Sequence, residues 1–180
     1  MPLTTLTSAR LTLRPPQRVD AEAIFTGYAT DPAVARFVVW TPHQSIAETE
    51  AFLAHFLEHG AEDDNYPWVI TRTADAVLLG AVHLRVEPPR AELGFNLARE
   101  HWGRGYGTEV VQTVMAFGFG HAGVHRVQAV CHVDNAASAR VLEKAGMRRE
   151  GRLHRYMLFP NLGTEPQDVY LYAATTPTVI

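Results

Sequence analysis

The sequence contains a single cysteine, Cys131, so it can close no internal disulfide and can build no zinc centre from several thiolates. Set in an apolar stretch, that thiol reads as a buried bystander in a protein of a reducing, cytoplasmic compartment. Long apolar runs are also missing: nowhere do about 18 apolar residues follow one another, which argues against a membrane span. Met1 to Arg14 is Thr-rich without an apolar centre, which argues against a secretion signal. Charges are sparse, 19% of residues, and they balance to a net −3 with no block of one sign. Composition therefore marks no general binding to nucleic acid or to a membrane surface. There is no internal repeat and no low-complexity linker, so residues 1–180 read as one domain, with 47% hydrophobic residues to fill its core.

What is present is an ordered series of elements. Arg10 to Arg14 alternates Leu11 and Leu13 with polar neighbours, the pattern of a half-buried strand, and Pro15-Pro16 ends it. Asp20 is placed to cap a helix running to about Thr30, with Ala23, Ile24 and Tyr28 on one side, and Asp31-Pro32 opens a short helix toward Val38. Ser45-Ile46-Ala47-Glu48 has the form of a capping box, predicting a helix from Ser45 to about Gly60 with Phe52, Leu53, Phe56 and Leu57 as its buried stripe. Extended segments follow at Tyr66 to Thr71, Val77 to Val86 and Arg90 to Leu97, an antiparallel meander. A strongly apolar helix from Thr108 to about Gly120 must pack on a sheet. Then come a short strand buried on both faces, Arg126 to Val133, and a helix from Asn135 to Ala145 closed by Gly146. The last strands are expected at Met147 to Phe159 and Asp168 to Ala174. The strand and helix order after Arg90 predicts local parallel pairing in a mixed sheet.

The stretch Trp102-Gly103-Arg104-Gly105-Tyr106-Gly107-Thr108 joins a strand to a helix start, where unpaired backbone N–H groups meet the positive end of the helix dipole. Alternate glycines let the backbone curl around an anion, and a pyrophosphate is the natural guest. The two common nucleotide motifs fail here. A Rossmann fingerprint needs glycine where Thr108 stands, and a P-loop needs a terminal Gly-Lys-Ser/Thr.

With this turn, the stretches Ala9-Arg10-Leu11-Thr12-Leu13-Arg14, Glu92-Leu93-Gly94-Phe95-Asn96-Leu97 and Val133-Asp134-Asn135-Ala136-Ala137-Ser138 through Met147 make the chain similar to a known family. It resembles the GCN5-related N-acetyltransferases (GNAT), and within them the RimJ/RimL-like branch, whose members acetylate ribosomal-protein N-termini and various small amines. The broad family carries Gln or Arg where this chain has Trp102, and tryptophan there resembles the RimJ/RimL-like branch. The resemblance implies an α/β (α+β) single-domain GNAT fold: a twisted, mostly antiparallel mixed sheet of about seven strands, helices on both faces, and a central parallel strand pair that splays apart. Acetyl-CoA is the implied co-substrate, with no metal. It would lie between Arg90 to Leu97 and Arg126 to Val133, with backbone groups of Phe95 and Leu97 meeting the pantetheine arm. Trp102, Gly103, Arg104, Gly105, Tyr106, Gly107 and Thr108 would hold the pyrophosphate.

Asn135 and Ser138 match the family's Asn-x-x-Ser, the amide toward the pantetheine and the hydroxyl toward the sulfur. The same types at a helix start also read simply as a cap. An ammonium has no lone pair, so a base must take its proton before attack. Glu92 is the first candidate, on a strand where many such enzymes carry a carboxylate, while His83, Tyr156 and Tyr170 are weaker ones. Ser138 or water would protonate the departing thiolate, and backbone N–H groups near Phe95 to Leu97 would steady the oxyanion.

The implied partners are acetyl-CoA and an amine acceptor, either a protein N-terminus such as that of a ribosomal protein or a small amine, with no direct nucleic acid or membrane contact. A monomer and a homodimer paired through C-terminal strand edges both remain open. His55 with His59, and His121 with His125, have helical metal-ligand spacing without a third ligand and read as solvent histidines. Trp40 and Trp68, with Phe37, Phe52 and Phe56, read as core or pocket wall. A second reading of the whole is a CoA-binding module that senses without turnover.

Overall fold

A computed structural model describes residues 4–59 and 64–176. Its centre is one eight-stranded sheet in the order β1-β2-β3-β4-β5-β6-β8-β7. The strands are β1 (Leu6–Thr7), β2 (Leu11–Arg14), β3 (Asn65–Arg72), β4 (Leu78–Glu87), β5 (Arg90–Leu97), β6 (Arg126–His132), β7 (Arg148–Met157) and β8 (Gln167–Thr175). Sequence patterning expects about seven strands. The eighth is β1, a two-residue pairing of Leu6 with Leu13 and Thr7 with Thr12, too short to show a period. Every pairing is antiparallel except β5 with β6.

The helices cover both faces. Period-two alternation on β3 sends Trp68 and Ile70 into one core with Val110, Val111 and Val114 of α4 (Tyr106–Phe119). It sends Val69 into another, with Ile24, Tyr28 and Val34 of the N-terminal helices. These are α1 (Ala21–Ile24), continued by a π-turn at Phe25–Ala29, then α2 (Pro32–Ala35) and α3 (Ile46–His59). The other helix, α5 (Ala136–Lys144), packs on α4 and the ends of β6 and β7. The two sides are called here the α1 face and the α4 face.

Local chemistry explains several departures from the expected elements. Ala23 is exposed while Ile24 and Tyr28 are buried, because the buried stripe of α1 runs through Ala21 and Ile24, a turn apart, and Ala23 falls beside it. Asp20 does not cap α1; its carboxylate is taken by Arg14, at 2.8 and 2.6 Å, and by the Gln17 N–H, closing the 3-10 turn Arg18–Asp20. Asp31 does cap α2, accepting from the Ala33 N–H. The Glu48 carboxylate reaches back to the N–H of Gln44 at 2.9 Å, one residue before the expected partner. Of the expected α3 stripe only Leu53 is buried, beside Thr49, with Phe52 and Leu57 36% and 39% exposed, because that helix packs on α1 and the π-turn, outside the sheet. Its expected end at Gly60 lies outside the described residues. On β6 burial alternates, so only one face, the Val127, Ala129 and Cys131 side, is sealed along its length.

β4 and β5 pair without a slip from Gly80 with Leu97 to Glu87 with Arg90. Glu92, Gly94 and Asn96 therefore share the α1 face with Arg85, His83 and Ala81, while Leu93 and Phe95 share the α4 face with Leu84 and Val82. The β5–β6 ladder is short by contrast. Arg90, Ala91 and Glu92 pair with Arg126, Val127 and Gln128, and there it stops. Beyond that point β5 leans onto β4, and a Cβ on Gly80 would lie 2.1 Å from the Asn96 carbonyl oxygen. Only glycine permits this close approach. Gly80→Val should destabilise the fold by about 1–3 kcal/mol through overpacking against backbone. Chemical denaturation measures it, and an unchanged midpoint would show that the lean of β5 does not depend on Gly80.

Candidate active site

α4 begins at Tyr106, two residues before the expected Thr108, because Gly105 stands at its N-cap in the left-handed region, φ 81°. Gly103 is left-handed too, φ 73°. Gly105 brings no side-chain cap, so the first N–H groups of α4 lack an intrahelical partner and point out of the helix end. Tyr106 and Gly107 are buried in the first turn, and Thr108 beside them is half-buried. Arg104 and Trp102 are exposed. The Trp102 indole N–H donates to the Leu97 carbonyl at 2.8 Å, so this side chain braces the turn against the end of β5 and occupies a group assigned by resemblance to the pantetheine.

A second brace comes from the far end of the chain. Arg10, beside β2, donates from its backbone N–H to Glu109 Oε1 at 2.8 Å and from Nε to Oε2 at 2.7 Å. Its Nη1 donates to the Arg104 carbonyl at 3.1 Å, and its guanidinium lies 4.6 Å over the Tyr106 ring. The Ser8 hydroxyl donates to Glu109 as well, at 2.7 Å. Burial works to raise the Glu109 pKa, but the Ser8 and Arg10 donors outweigh it and hold the carboxyl below its ordinary value. The expectations from sequence assign Arg10 and Glu109 no role. Their signal is the early Ala9-Arg10-Leu11 stretch and a carboxylate in the first turn of a helix, the turn favoured by the helix dipole.

Where the β5–β6 ladder ends, Glu92 and Gln128 face each other on the α1 face, and Gln128 Nε2 donates to Glu92 Oε2 at 2.8 Å. Arg126 holds the Gln128 carbonyl oxygen at 2.9 Å and Glu150 through two bonds. This chain of contacts fixes the half-buried Glu92 carboxylate at the vertex of the splay. His83 lies beside it, across Gly94. Tyr170, by register opposite Cys131, is on the other face of the sheet and carries Arg149 over its ring at 4.7 Å, so it does not join Glu92. Tyr156 is half exposed near the end of β7.

Asn135 caps α5, its side-chain oxygen accepting from the Ser138 N–H at 3.1 Å. The cap and the family motif are thus one arrangement, which leaves the Asn135 NH₂ and the Ser138 hydroxyl available beside α4, where Val141 touches Gly107. Burial raises the Cys131 thiol to about 11, with Glu143 adding to it, which suits an inert core thiol. His121 bonds the Tyr66 hydroxyl at 3.1 Å and the Phe117 carbonyl at 3.0 Å. Trp68 is core, whereas Trp40 lines a cavity of about 40 Å³ on the α1 face with Tyr28, His43, Phe52 and Asn96. A wider, open hollow of about 560 Å³ between β1 and α4 contains none of these groups.

An uncapped helix end in a glycine turn, beside two parallel strands that part, matches a known protein family. The model of the acetyltransferase (GNAT) domain matches residues 10–148. The chain belongs to the GNAT family. The uncharacterized N-acetyltransferase YoaA of Bacillus subtilis is 35% identical over 175 residues, 96% of this chain and 97% of YoaA. RimJ of Mycobacterium smegmatis, solved in complex with CoA-disulfide, aligns over 96% of this chain and 88% of its own at 22% identity with a TM-score of 0.84. The microcin C7 self-immunity acetyltransferase MccE, solved with acetyl-CoA and AMP, aligns over 94% of both chains at 17% identity with a TM-score of 0.83. At these identities the two structures show the fold alone.

As a GNAT N-acetyltransferase this chain moves acetyl from acetyl-CoA to an amine. The geometry fits such a co-substrate: the left-handed glycine turn and the uncapped α4 start would suit its pyrophosphate, and the β6-directed peptide groups of β5 beyond Glu92, which have no strand partner among the described residues, would suit its pantetheine arm. Loss of the strap should be read in affinity. Arg10→Ala is expected to weaken CoA binding about tenfold, on the order of 1.4 kcal/mol, in calorimetric titration, and wild-type affinity would remove Arg10 from the site. The Glu109 contribution to stability is present above the ordinary carboxylate range and is lost as pH falls through its lowered value. Glu109→Gln should therefore flatten the acid limb of the stability profile.

Proposed function

We propose that the acceptor is a primary amine that attacks the thioester directly from the α1 face, with Glu92 as the group that receives it. The observation carrying this reading is the position of the Glu92 carboxylate. It stands at the splay vertex, on the face opposite α4, held through one oxygen by Gln128 and leaving the other for an ammonium or its proton. Backbone N–H groups of the parted β5 support the oxyanion, and Ser138, in the first turn of α5, supplies the proton for the leaving sulfur.

The walls of this face support a compact acceptor, a small amine or the first residue of an extended protein N-terminus. Asn161 Nδ2 donates to the Ala35 and Trp40 carbonyls at 2.6 and 2.8 Å, lashing the segment after β7 to the segment after α2. Beneath that tie Phe37 stacks on His132 at 4.9 Å and Phe159 meets the same ring edge-on at 5.2 Å, covering the β6 side. A folded protein surface does not fit under such a cover; a narrow chain end or a free amine does.

Glu92→Gln should lower kcat/KM for the amine about 100-fold, the usual worth of a positioned base, while leaving CoA affinity unchanged. Ser138→Ala should lower kcat less, because water can replace the hydroxyl. Thiol release with a panel of aliphatic amines, aromatic amines and short unblocked peptides measures both. A wild-type chain that binds acetyl-CoA and turns over none of them would favour a sensing module over an enzyme.

A further inference from the structure

His83 has a seat built for it. In register it lies opposite Gly94, on the α1 face, and a Cβ on Gly94 would come within 2.4 Å of its Cε1 and 3.1 Å of its Nε2. The imidazole therefore rests on bare β5 backbone, two residues from Glu92, at the point where β5 leaves β6. Any side chain at position 94 would push it away. Solvent reaches the ring, and among the described residues it makes no hydrogen bond. An accessible imidazole at the splay vertex, unused by the fold, is free to exchange protons there.

The chemistry leaves room for it. Acetylation of an amine that arrives as an ammonium requires two protons to leave nitrogen: one before attack, to free the lone pair, and one after the C–N bond has formed. The C–S bond breaks with its electron pair on sulfur, and one proton ends there, delivered through Ser138 or water. The other goes to solvent. Glu92 accounts for only one of the two departures from nitrogen.

We infer that His83 is the second proton acceptor on this face, taking a proton from the amine held at Glu92 and releasing it to the solvent that reaches the ring. This rests on the reading of Glu92 and the α1 face given above. Packing on the β5 backbone works to lower the imidazole pKa below its ordinary value, while the Glu92 carboxylate opposes that shift. The groups around it are few. Arg85, on the same face of β4, is turned to Glu87, and the β3 residue opposite His83 is Pro67.

The test is steady-state thiol release across pH for wild type, His83→Gln, His83→Ala and Glu92→Gln, with CoA-induced thermal shifts as the check on folding. His83→Gln should lose about 100-fold in kcat/KM for the amine, with KM for acetyl-CoA unchanged. The wild-type rate should fall as pH drops through the lowered imidazole value, and that limb should vanish in His83→Gln. Added imidazole should restore rate to His83→Ala, an effect that a merely structural role would not produce. A His83→Gln enzyme with wild-type rate and an intact acid limb overturns the role of His83 while Glu92→Gln remains impaired. So does a slow variant whose limb persists and which imidazole does not rescue. A wild-type chain inactive on every amine overturns this inference together with the reading of the site beneath it.

Discussion

The parting of β5 from β6 is the constraint on which the site depends. Three residue pairs hold the strands together, Arg90 to Glu92 with Arg126 to Gln128, and past them the peptide groups of β5 that point toward β6 have no strand partner among the described residues. Buried backbone without a partner is costly, so a cleft of this kind persists only if something compensates on each side. On one side β5 leans onto β4, where Gly80 offers no Cβ to the Asn96 carbonyl, and the β4 ladder continues to Leu97. On the other, β6 is held along its full length by β8. The gap is thus a property of the sheet, present before a ligand arrives. An extended pantetheine can supply the missing hydrogen bonds as a strand would.

Around that gap the two faces divide the labour. The α4 face offers main-chain N–H groups and a helix dipole for the anionic end of the co-substrate, stiffened by Trp102 and by the Arg10–Glu109 strap. The α1 face carries the titratable groups Glu92 and His83, and on the same face aromatic side chains line a small cavity at Asn96. The division follows from strand parity. Because β4 and β5 pair without a slip, alternate residues of one short segment serve opposite sides: Phe95 packs toward α4, and Glu92 and Gly94 lie on the α1 face.

Local pattern carried much of this. The three strands of the meander, the apolar α4, the Asn135 cap and the left-handed Gly146 are each set by neighbours within a few residues, and these are the elements that periodicity and capping rules locate within about two residues. The left-handed glycine turn before α4 was legible for the same reason, since its glycines and the following helix are contiguous. What stayed hidden involves distant partners. Glu109 is bonded to Ser8 and Arg10 a hundred residues away, Gln128 to Glu92 across the splay, and Asn161 to the end of α2. The stripe of α3 misled because amphipathic spacing says which side of a helix is apolar, not whether a sheet lies beneath it.

The amino-acid sequence by itself determined the fold class, the kind of co-substrate and the glycine turn that opens α4, because each rests on short-range geometry: glycines that can turn left-handed, a helix start with free N–H groups, and a period of two or of 3.6. Tertiary structure alone decided which side chains meet at the vertex of the splay. Glu92, Gln128 and His83 come from three strands, and Tyr170 is turned away by a register that no local pattern encodes. Register is a property of paired strands, fixed by the packing of both faces at once, and so the acceptor side of the site exists only in the assembled sheet.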